Sequence, residues 1–149
     1  MCKWRSFHNE GQILVMPRHI ALVTPPTISH RTSEETLALG YLGAVLRKAG
    51  YRVSVIDGWL QGISSNEIVE RLEEGQIPDI VGVSCYRSHL DQAVDLLRLV
   101  RSRFGAIPVI CGGYGPTFHP DEFLLNGFTL AVIGEAEQNI VQIVAALLD

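Results

Sequence analysis

The stretch PDIVGVSCYRSHLDQAVDLLRLVRSRFGAIPVICGG, residues 78–113, decides the fold. It begins with a short β-branched run and continues with apolar residues at helical spacing, namely Leu90, Val94, Leu97 and Phe104. A second β-branched run then ends in a pair of glycines. Two buried strands joined by a helix form a parallel β-α-β unit, because parallel strands need a long crossover connection.

The same alternation extends outward from this unit, from Ile20 to the C-terminus. Alternating strands and helices predict a parallel sheet covered on both faces. We therefore expect a flavodoxin-like (Rossmann-like) α/β domain with three layers and a doubly wound five-stranded sheet in the order 2-1-3-4-5. The predicted strands are IALVT from Ile20, YRVSVID from Tyr51, DIVGVS from Asp79, IPVICGG from Ile107 and FTLAVIG from Phe128.

Capping residues and glycines mark the helix boundaries. Five helices are predicted. The first begins at the capping pair Thr32 and Glu35 and ends at Gly50, and the second begins at Ser64 and Glu67 and ends at Gly75. The third begins at Ser88 and ends at Gly105, and the last two cover residues 120–125 and 137–148.

Length and charge restrict the class of protein. A chain of 149 residues is long enough for one domain with a single core. The 12 basic and 16 acidic residues give a net charge of -4, which argues against nucleic acid or an anionic membrane as a partner. No apolar run reaches the roughly 20 residues that span a bilayer, and the N-terminus lacks a signal-peptide core. We expect a cytoplasmic protein with no membrane association.

Residues 1–19 fit no strand-helix unit. QILVM, residues 12–16, predicts either an extra edge strand or part of an N-terminal extension. The domain proper covers residues 20–149.

The three cysteines are Cys2, Cys85 and Cys111. They are odd in number, widely spaced and without a CxxC pair, which argues against a disulfide framework, a zinc site or an iron–sulfur cluster. All three are predicted to be free thiols.

The loops after the strands exclude several ligands, because ligands of such sheets bind at the carboxyl ends of the strands. Two prolines follow the first strand where a dinucleotide fold would have GxGxxG, and no P-loop is present. Thr24, Ser84 and Glu135 stand where a receiver domain needs its acidic residues and lysine. GVSCY, residues 82–86, has Tyr86 where a nucleophile elbow needs a small residue, which argues against a hydrolase.

Several segments in a fixed order resemble the cobalamin-binding domain that precedes the catalytic barrel of cobalamin-dependent radical S-adenosylmethionine enzymes. The resemblance covers most of the chain from about Ile20. It implies cobalamin as the cofactor and a radical S-adenosylmethionine catalytic domain or subunit as the partner. Its segments are PP, LALGYLGAVLRKAGYRVSVID, PDIVGVSCYRSHLDQAVDLLRLVR, IPVICGGYGPTFHPDEFL and VIGEAE.

The resemblance maps the channel for the cobalamin nucleotide tail onto Ser84, Ser88, Gly112, Gly113 and Gly134. A serine hydroxyl can hydrogen-bond the buried base or ribose. Ser88 can equally serve as a helix cap. The two adjacent glycines either make a turn or let the cofactor approach the backbone.

Further residues implied by the resemblance lie in the same loops. Tyr86 and Tyr114 are candidates for the floor beneath the corrin ring, with ordinary loop packing as the alternative. Glu135 belongs to the cofactor-binding set. His89 and His119 either line the corrin edge or lie at the surface.

Gly40 and Gly43 lie three residues apart on one face of the first predicted helix. Because glycine has no side chain, that helix could approach the sheet or the tail closely.

Relatives that ligate cobalt through histidine carry Asp-x-His-x-x-Gly in the first loop. Residues 33–38, which align with it, contain no histidine, and His30 lies upstream of that position. We expect cobalamin to be bound base-off without histidine ligation. The cysteine motif for an iron–sulfur cluster is also missing, so the chain should not catalyse alone and should be an excised domain or a separate carrier. The alternative function is a cobalamin-free flavodoxin-like interaction or sensory module.

Overall fold

The computed structural model describes residues 15–27 and 37–149. In these parts of the chain, five strands form one parallel sheet in the order β2-β1-β3-β4-β5, which confirms the predicted topology and fold class. The strands are β1 (His19–Thr24), β2 (Arg52–Asp57), β3 (Ile80–Ser84), β4 (Val109–Gly112) and β5 (Leu130–Ala131).

Seven helices and one 3-10 turn connect and cover the described strands. None of these helices is long and apolar enough to cross a bilayer. They are α1 (Leu37–Lys48), α2 (Gly58–Gln61), α3 (Ser65–Glu73), the 3-10 turn (Arg87–His89), α4 (Leu90–Phe104), α5 (Tyr114–Phe118), α6 (Pro120–Leu125) and α7 (Ile140–Leu148).

The sheet separates two hydrophobic cores, because alternate strand residues point to opposite faces. Val81, Val83 and Cys111 pack with α3 and α4 on one face. Leu22 and Ile110 pack with α1 and α7 on the other. The second face is the one that carries the candidate site.

All five predicted strands are present, but β5 is only Leu130–Ala131 of the predicted FTLAVIG, and α7 begins at Ile140, three residues after its predicted start. The capping box of Ser64 and Glu67 is present at the start of α3. The short helix predicted over residues 120–125 is α6. The structure adds α2 and α5, which GWLQ and YGPTF did not suggest because glycine and proline usually mark loops. Pro116 is tolerated in the first turn of α5, where its missing N–H has no partner within the helix.

Ser88 does not cap the helix that was predicted to begin there. It lies within the 3-10 turn, and α4 begins after His89 without a side-chain cap. Asp91, three residues after Ser88, lies in the first turn of α4. Because Arg87–His89 form a 3-10 turn, α4 begins at Leu90, two residues later than the sequence pattern predicts.

The remaining predictions near the N-terminus lie mostly outside the described residues. Thr32 and Glu35 are not described. Of the predicted edge strand, only Val15 and Met16 are described, and neither belongs to a strand.

The first residue of β1, His19, is a buried histidine at the amino edge of the sheet. The ring of His19 lies with Nδ1 2.6 Å from the carbonyl oxygen of Gln76 and Nε2 2.8 Å from Oγ of Ser54. A carbonyl can only accept, so Nδ1 carries the proton and the Ser54 hydroxyl donates to Nε2. Burial lowers the pKa of His19. The neutral ring therefore suits this position.

Candidate cofactor-binding site

A cavity of about 440 Å³ lies between the sheet and helices α1 and α7, and opens at the carboxyl edge. Its volume is within the range of small-molecule and cofactor sites. We call it the slot. It is lined by Leu22, Gly82, Val83, Ser84, Ile110, Cys111 and Gly112 of the strands, by Ala38, Leu39 and Leu42 of α1, by Gly113, Tyr114, Thr117 and Phe118 around α5, and by Val132, Gly134, Glu135, Ala136, Glu137 and Ile140.

Small residues of β3 and β4 keep the slot open. Gly82 pairs with Ile110, and Ser84 pairs with Gly112, at the last two positions of the same sheet face. A β-carbon on Gly82 would stand 3.0 Å from Leu22 Cδ2, and one on Gly112 would meet only Val132 Cβ, at 3.8 Å. Larger side chains at these positions would project into the slot.

The two adjacent glycines after β4 have different roles. Gly112 faces the slot, so close approach of a ligand to the backbone is possible there. Gly113 makes the turn into α5 with φ +95°. A β-carbon on Gly113 would lie 3.1 Å from both Ser84 Oγ and the Cys85 carbonyl oxygen. The space beside Gly113 is therefore already occupied by Ser84 and Cys85.

The mouth of the slot is formed by α5 and the loop after β5. Gly134 and Glu135 are exposed there, and Gly134 N–H donates to Thr117 Oγ1 at 3.1 Å. Thr117 and Phe118 were not singled out from the sequence. Their only signal was their position shortly after a strand-end glycine pair.

An aromatic row crosses the carboxyl edge beside the mouth. The ring of Trp59 stacks on Tyr86 (centroids 5.4 Å apart), Tyr86 on Tyr114 (5.6 Å, interplanar angle 6°), and Tyr114 on Phe118 (6.4 Å). Tyr86, Tyr114 and Phe118 are 45%, 66% and 69% exposed. The row thus presents apolar surface to whatever covers this edge.

Two contacts hold the row in place. Arg87 pairs with Glu122 through Nε (3.0 Å) and Nη2 (2.9 Å) to Oε1, which ties the 3-10 turn to α6. This hydrogen-bonded pairing lowers the pKa of Glu122 and raises that of Arg87. Gly115 N–H donates to the Cys85 carbonyl oxygen at 3.0 Å, so α5 lies directly on the chain that carries Tyr86.

The structure therefore brings together six of the eight predicted site residues around the slot. These are Ser84, Gly112, Gly113, Tyr114, Gly134 and Glu135. Tyr86 lies beside the slot in the aromatic row, and Ser88 is exposed on the 3-10 turn.

The histidines of the strand-end loops are separate from the slot. His89 is half-buried, with its ring 5.1 Å from that of Trp59, and burial lowers its pKa. Its Nδ1 and the Trp59 Nε1 have no hydrogen-bond partner among the described residues. His119 Nδ1 lies 3.6 Å from Glu122 Oε1 at the surface. His30 lies outside the described residues.

The glycines predicted to bring α1 close are not part of the slot. Gly43 is buried, and a β-carbon there would contact Val53 and Val55 of β2. Gly40 is exposed with no atom within 4 Å of that position. Close helix–sheet packing accounts for Gly43, and no contact accounts for Gly40.

The described cysteines are poor ligands and poor nucleophiles. Cys85 and Cys111 are free and buried. Burial raises the pKa of Cys85 to about 12 and raises that of Cys111 further above its usual value. The thiolate is the reactive and metal-binding form. Within residues 15–27 and 37–149, no group of histidine, cysteine and acidic side chains could hold a metal ion.

The family model for the B12 binding domain matches residues 26–144. No curated protein matches the chain.

Solved structures that share the fold include the following three proteins. OxsB, a cobalamin-dependent S-adenosylmethionine radical enzyme with aqua-cobalamin and S-adenosylmethionine bound, is 24% identical with a TM-score of 0.74, over 89% of this chain and 19% of OxsB. TsrM from Kitasatospora setae, a radical S-adenosylmethionine methyltransferase, is 22% identical with a TM-score of 0.73, over 87% of this chain and 26% of TsrM. A cobalamin-binding protein from Desulfitobacterium hafniense DCB-2 is 17% identical with a TM-score of 0.68, over 89% of this chain and 59% of that protein.

Proposed function

Because this chain belongs to the B12-binding domain family, we propose that it holds its cofactor, cobalamin, base-off, with the nucleotide tail in the slot and no histidine on the cobalt. The observation that carries the proposal is the slot itself. It is a preformed cavity of about 440 Å³ that small residues keep open at the carboxyl edge.

The slot fits a nucleotide tail in shape and in chemistry. Gly82 and Gly112 leave space where a side chain would fill it, and Ser84 offers a hydroxyl at the end of β3. A buried base needs its polar atoms satisfied, which a hydroxyl can do. Gly113, Gly134 and Glu135 would then border the tail where it leaves the slot.

The corrin ring would rest at the mouth, beside the aromatic row. Tyr114 and Phe118 line both the slot and the row, and Tyr86 continues the row away from the mouth. Aromatic side chains offer a large apolar surface to a flat macrocycle at little entropic cost. Ser88 lies on the 3-10 turn that directly follows Tyr86, and its side chain would contact the rim of the corrin ring.

The chain's own residues bind and orient the cofactor and exclude water from its tail. When bound, cobalamin supplies a cobalt centre able to carry a methyl group. We propose that a radical S-adenosylmethionine catalytic domain or subunit uses it. Support comes from OxsB and TsrM, in which the matched region makes up only 19% and 26% of a longer chain.

Retention of colour tests cofactor binding. Protein mixed with hydroxocobalamin and desalted should stay red and carry about one equivalent of cobalt. A colourless protein would overturn the proposal and favour a cobalamin-free interaction or sensory module.

The state of the cobalt is tested by paramagnetic resonance. Cob(II)alamin bound to the protein should show no nitrogen hyperfine splitting from a lower ligand, and His30→Ala should leave the spectrum unchanged. A splitting that disappears in the variant would show that His30 ligates the cobalt.

A further inference from the structure

The slot changes in polarity from its floor to its mouth. The floor residues Leu22, Leu39, Ile110 and Ile140 are each 3% exposed or less. The mouth residues Tyr114, Phe118, Gly134 and Glu135 are exposed. A ligand that enters from the carboxyl edge therefore passes from a wet opening into a dry, apolar end.

Polar side chains are scarce in this space. Among the described lining residues that are buried, no side chain contains nitrogen or oxygen. Three half-buried lining side chains are polar: Ser84 and Thr117 supply hydroxyls, and Glu137, in the loop before α7, supplies a carboxylate. Thr117 Oγ1 already accepts from Gly134 N–H, and a carboxylate can accept but not donate. The backbones of β1, β3 and β4 are engaged in the sheet. Ser84 is thus the polar side chain best placed to serve a base lying against β3.

Resting on the proposed function, we propose that the slot selects its cofactor by the lower base, accepting dimethylbenzimidazole and discriminating against adenine. A detached dimethylbenzimidazole has one ring nitrogen free to accept a hydrogen bond, and Ser84 offers one hydroxyl. Adenine attached to the same ribose has several free ring nitrogens and an amino group. Most of these would have no partner between Leu22, Leu39 and Ile140.

The preference follows from the cost of burying polar atoms. An unpaired polar group in a dry site loses its hydration and regains nothing, whereas two methyl groups gain from burial there. Sites discriminate strongly when the wrong ligand leaves buried polar groups unpaired. We therefore expect at least tenfold weaker binding of the adenine cofactor, equivalent to about 1.4 kcal/mol.

The test compares three corrinoids on the wild-type protein: cobalamin, the cobamide whose lower base is adenine, and cobinamide, which lacks the nucleotide. Cobalamin should bind at least tenfold tighter than the adenine cobamide. The dicyano forms, in which cyanide has displaced the base from cobalt, remove differences in base–cobalt bond strength. Equal dissociation constants for cobalamin and the adenine cobamide would overturn the inference while leaving cobalamin binding established. If none of the three binds, the proposed function itself fails.

Matched variants at Leu39 locate the discrimination. Leu39→Gln adds an amide to the floor and should reduce the preference at least threefold, because the amide can pair with adenine. Leu39→Met keeps the floor apolar and should preserve the preference. Circular dichroism confirms folding of both. A folded Leu39→Gln protein with the full wild-type preference would show that the floor does not contact the base.

Discussion

The hydroxyl oxygen of Ser84 lies 3.1 Å from the point that a β-carbon on Gly113 would occupy. Gly113 follows Gly112, the register partner of Ser84. The end of β3 is therefore covered on one side by the turn into α5 and open on the other side to the slot. A side chain enlarged at Ser84 or Gly112 has little room except the slot.

Filling the slot should reduce cobalamin binding more than stability. We expect Ser84→Leu and Gly112→Val each to weaken cobalamin at least tenfold, about 1.4 kcal/mol, because the slot must be empty to admit the tail. Ser84→Ala should cost only about 1 kcal/mol, the value of one hydrogen bond. Titration of cobalamin and cobinamide separates the tail from the ring, since cobinamide should be little affected.

The matched control for these variants is Gly40→Val. It adds the same side chain to an exposed helix position with no atom within 4 Å, so cobalamin affinity should not change. Equal losses for cobalamin and cobinamide in the Ser84 and Gly112 variants would mean that the tail lies elsewhere.

The aromatic row should act on the ring and not on the tail. Tyr114→Ala removes a ring that stacks on both Tyr86 and Phe118. We expect it to weaken cobalamin and cobinamide by the same factor, roughly tenfold for the loss of about 1.5 kcal/mol of aromatic contact. Leu125→Ala, which truncates an 87% exposed side chain on α6, is the control. A loss confined to cobalamin would place Tyr114 on the tail instead.

Gly115 should be the least replaceable glycine near the site. A β-carbon there would stand 2.7 Å from the Arg87 nitrogen and 2.8 Å from the Tyr86 carbonyl carbon. We expect Gly115→Ala to lower the free energy of unfolding by about 2 kcal/mol, because α5 and the 3-10 turn must separate. Urea denaturation measures it. Gly40→Ala should be neutral or stabilising, and an equally mild Gly115→Ala would show that α5 moves freely.

Stability should fall in mild acid through His19. Its pKa is lowered in the folded protein, first by burial, from an ordinary value of 6.5. The unfolded chain then binds the proton more readily, so stability is full above pH 6.5 and decreases as the pH falls toward the lowered pKa. Thermal unfolding across this range should show a smaller decrease for His19→Gln than for the wild type.

His89 provides the comparison for His19, because burial lowers its pKa as well. His89→Gln should remove a separate part of the decrease, and the double variant should have the flattest profile. If His19→Gln retained the full wild-type slope, the buried ring would not be the group that titrates.

This polypeptide should not assemble an iron–sulfur cluster. Such clusters are held by cysteine thiolates, and the buried Cys85 and Cys111 resist ionisation. Anaerobic incubation with iron and sulfide, followed by desalting, should leave no cluster absorbance and no reductive cleavage of S-adenosylmethionine. A stoichiometric cluster would contradict the prediction.

The order of strands and helices follows from local sequence. Continuous β-branched runs identify strands such as β1 and β3, and apolar residues spaced at 3.6 residues per turn identify helices such as α4. Parallel topology then restricts the order of the strands, and the carboxyl edge becomes the place to look for a ligand. On this basis the loops after the strands could be named without coordinates, and the family resemblance then selected Ser84, Gly112 and Gly134 within them.

What only the tertiary structure decided are the contacts between distant segments. Leu39 of α1, Thr117 of α5 and Val132 after β5 reach one cavity because the sheet and two helices enclose it. No local period encodes that. The stacking of Tyr86 on Tyr114 and the displacement of the α4 start beyond Ser88 likewise depend on how α5 packs against the 3-10 turn. Burial and shape at this edge arise from packing across the chain, so they appear only when the chain is folded.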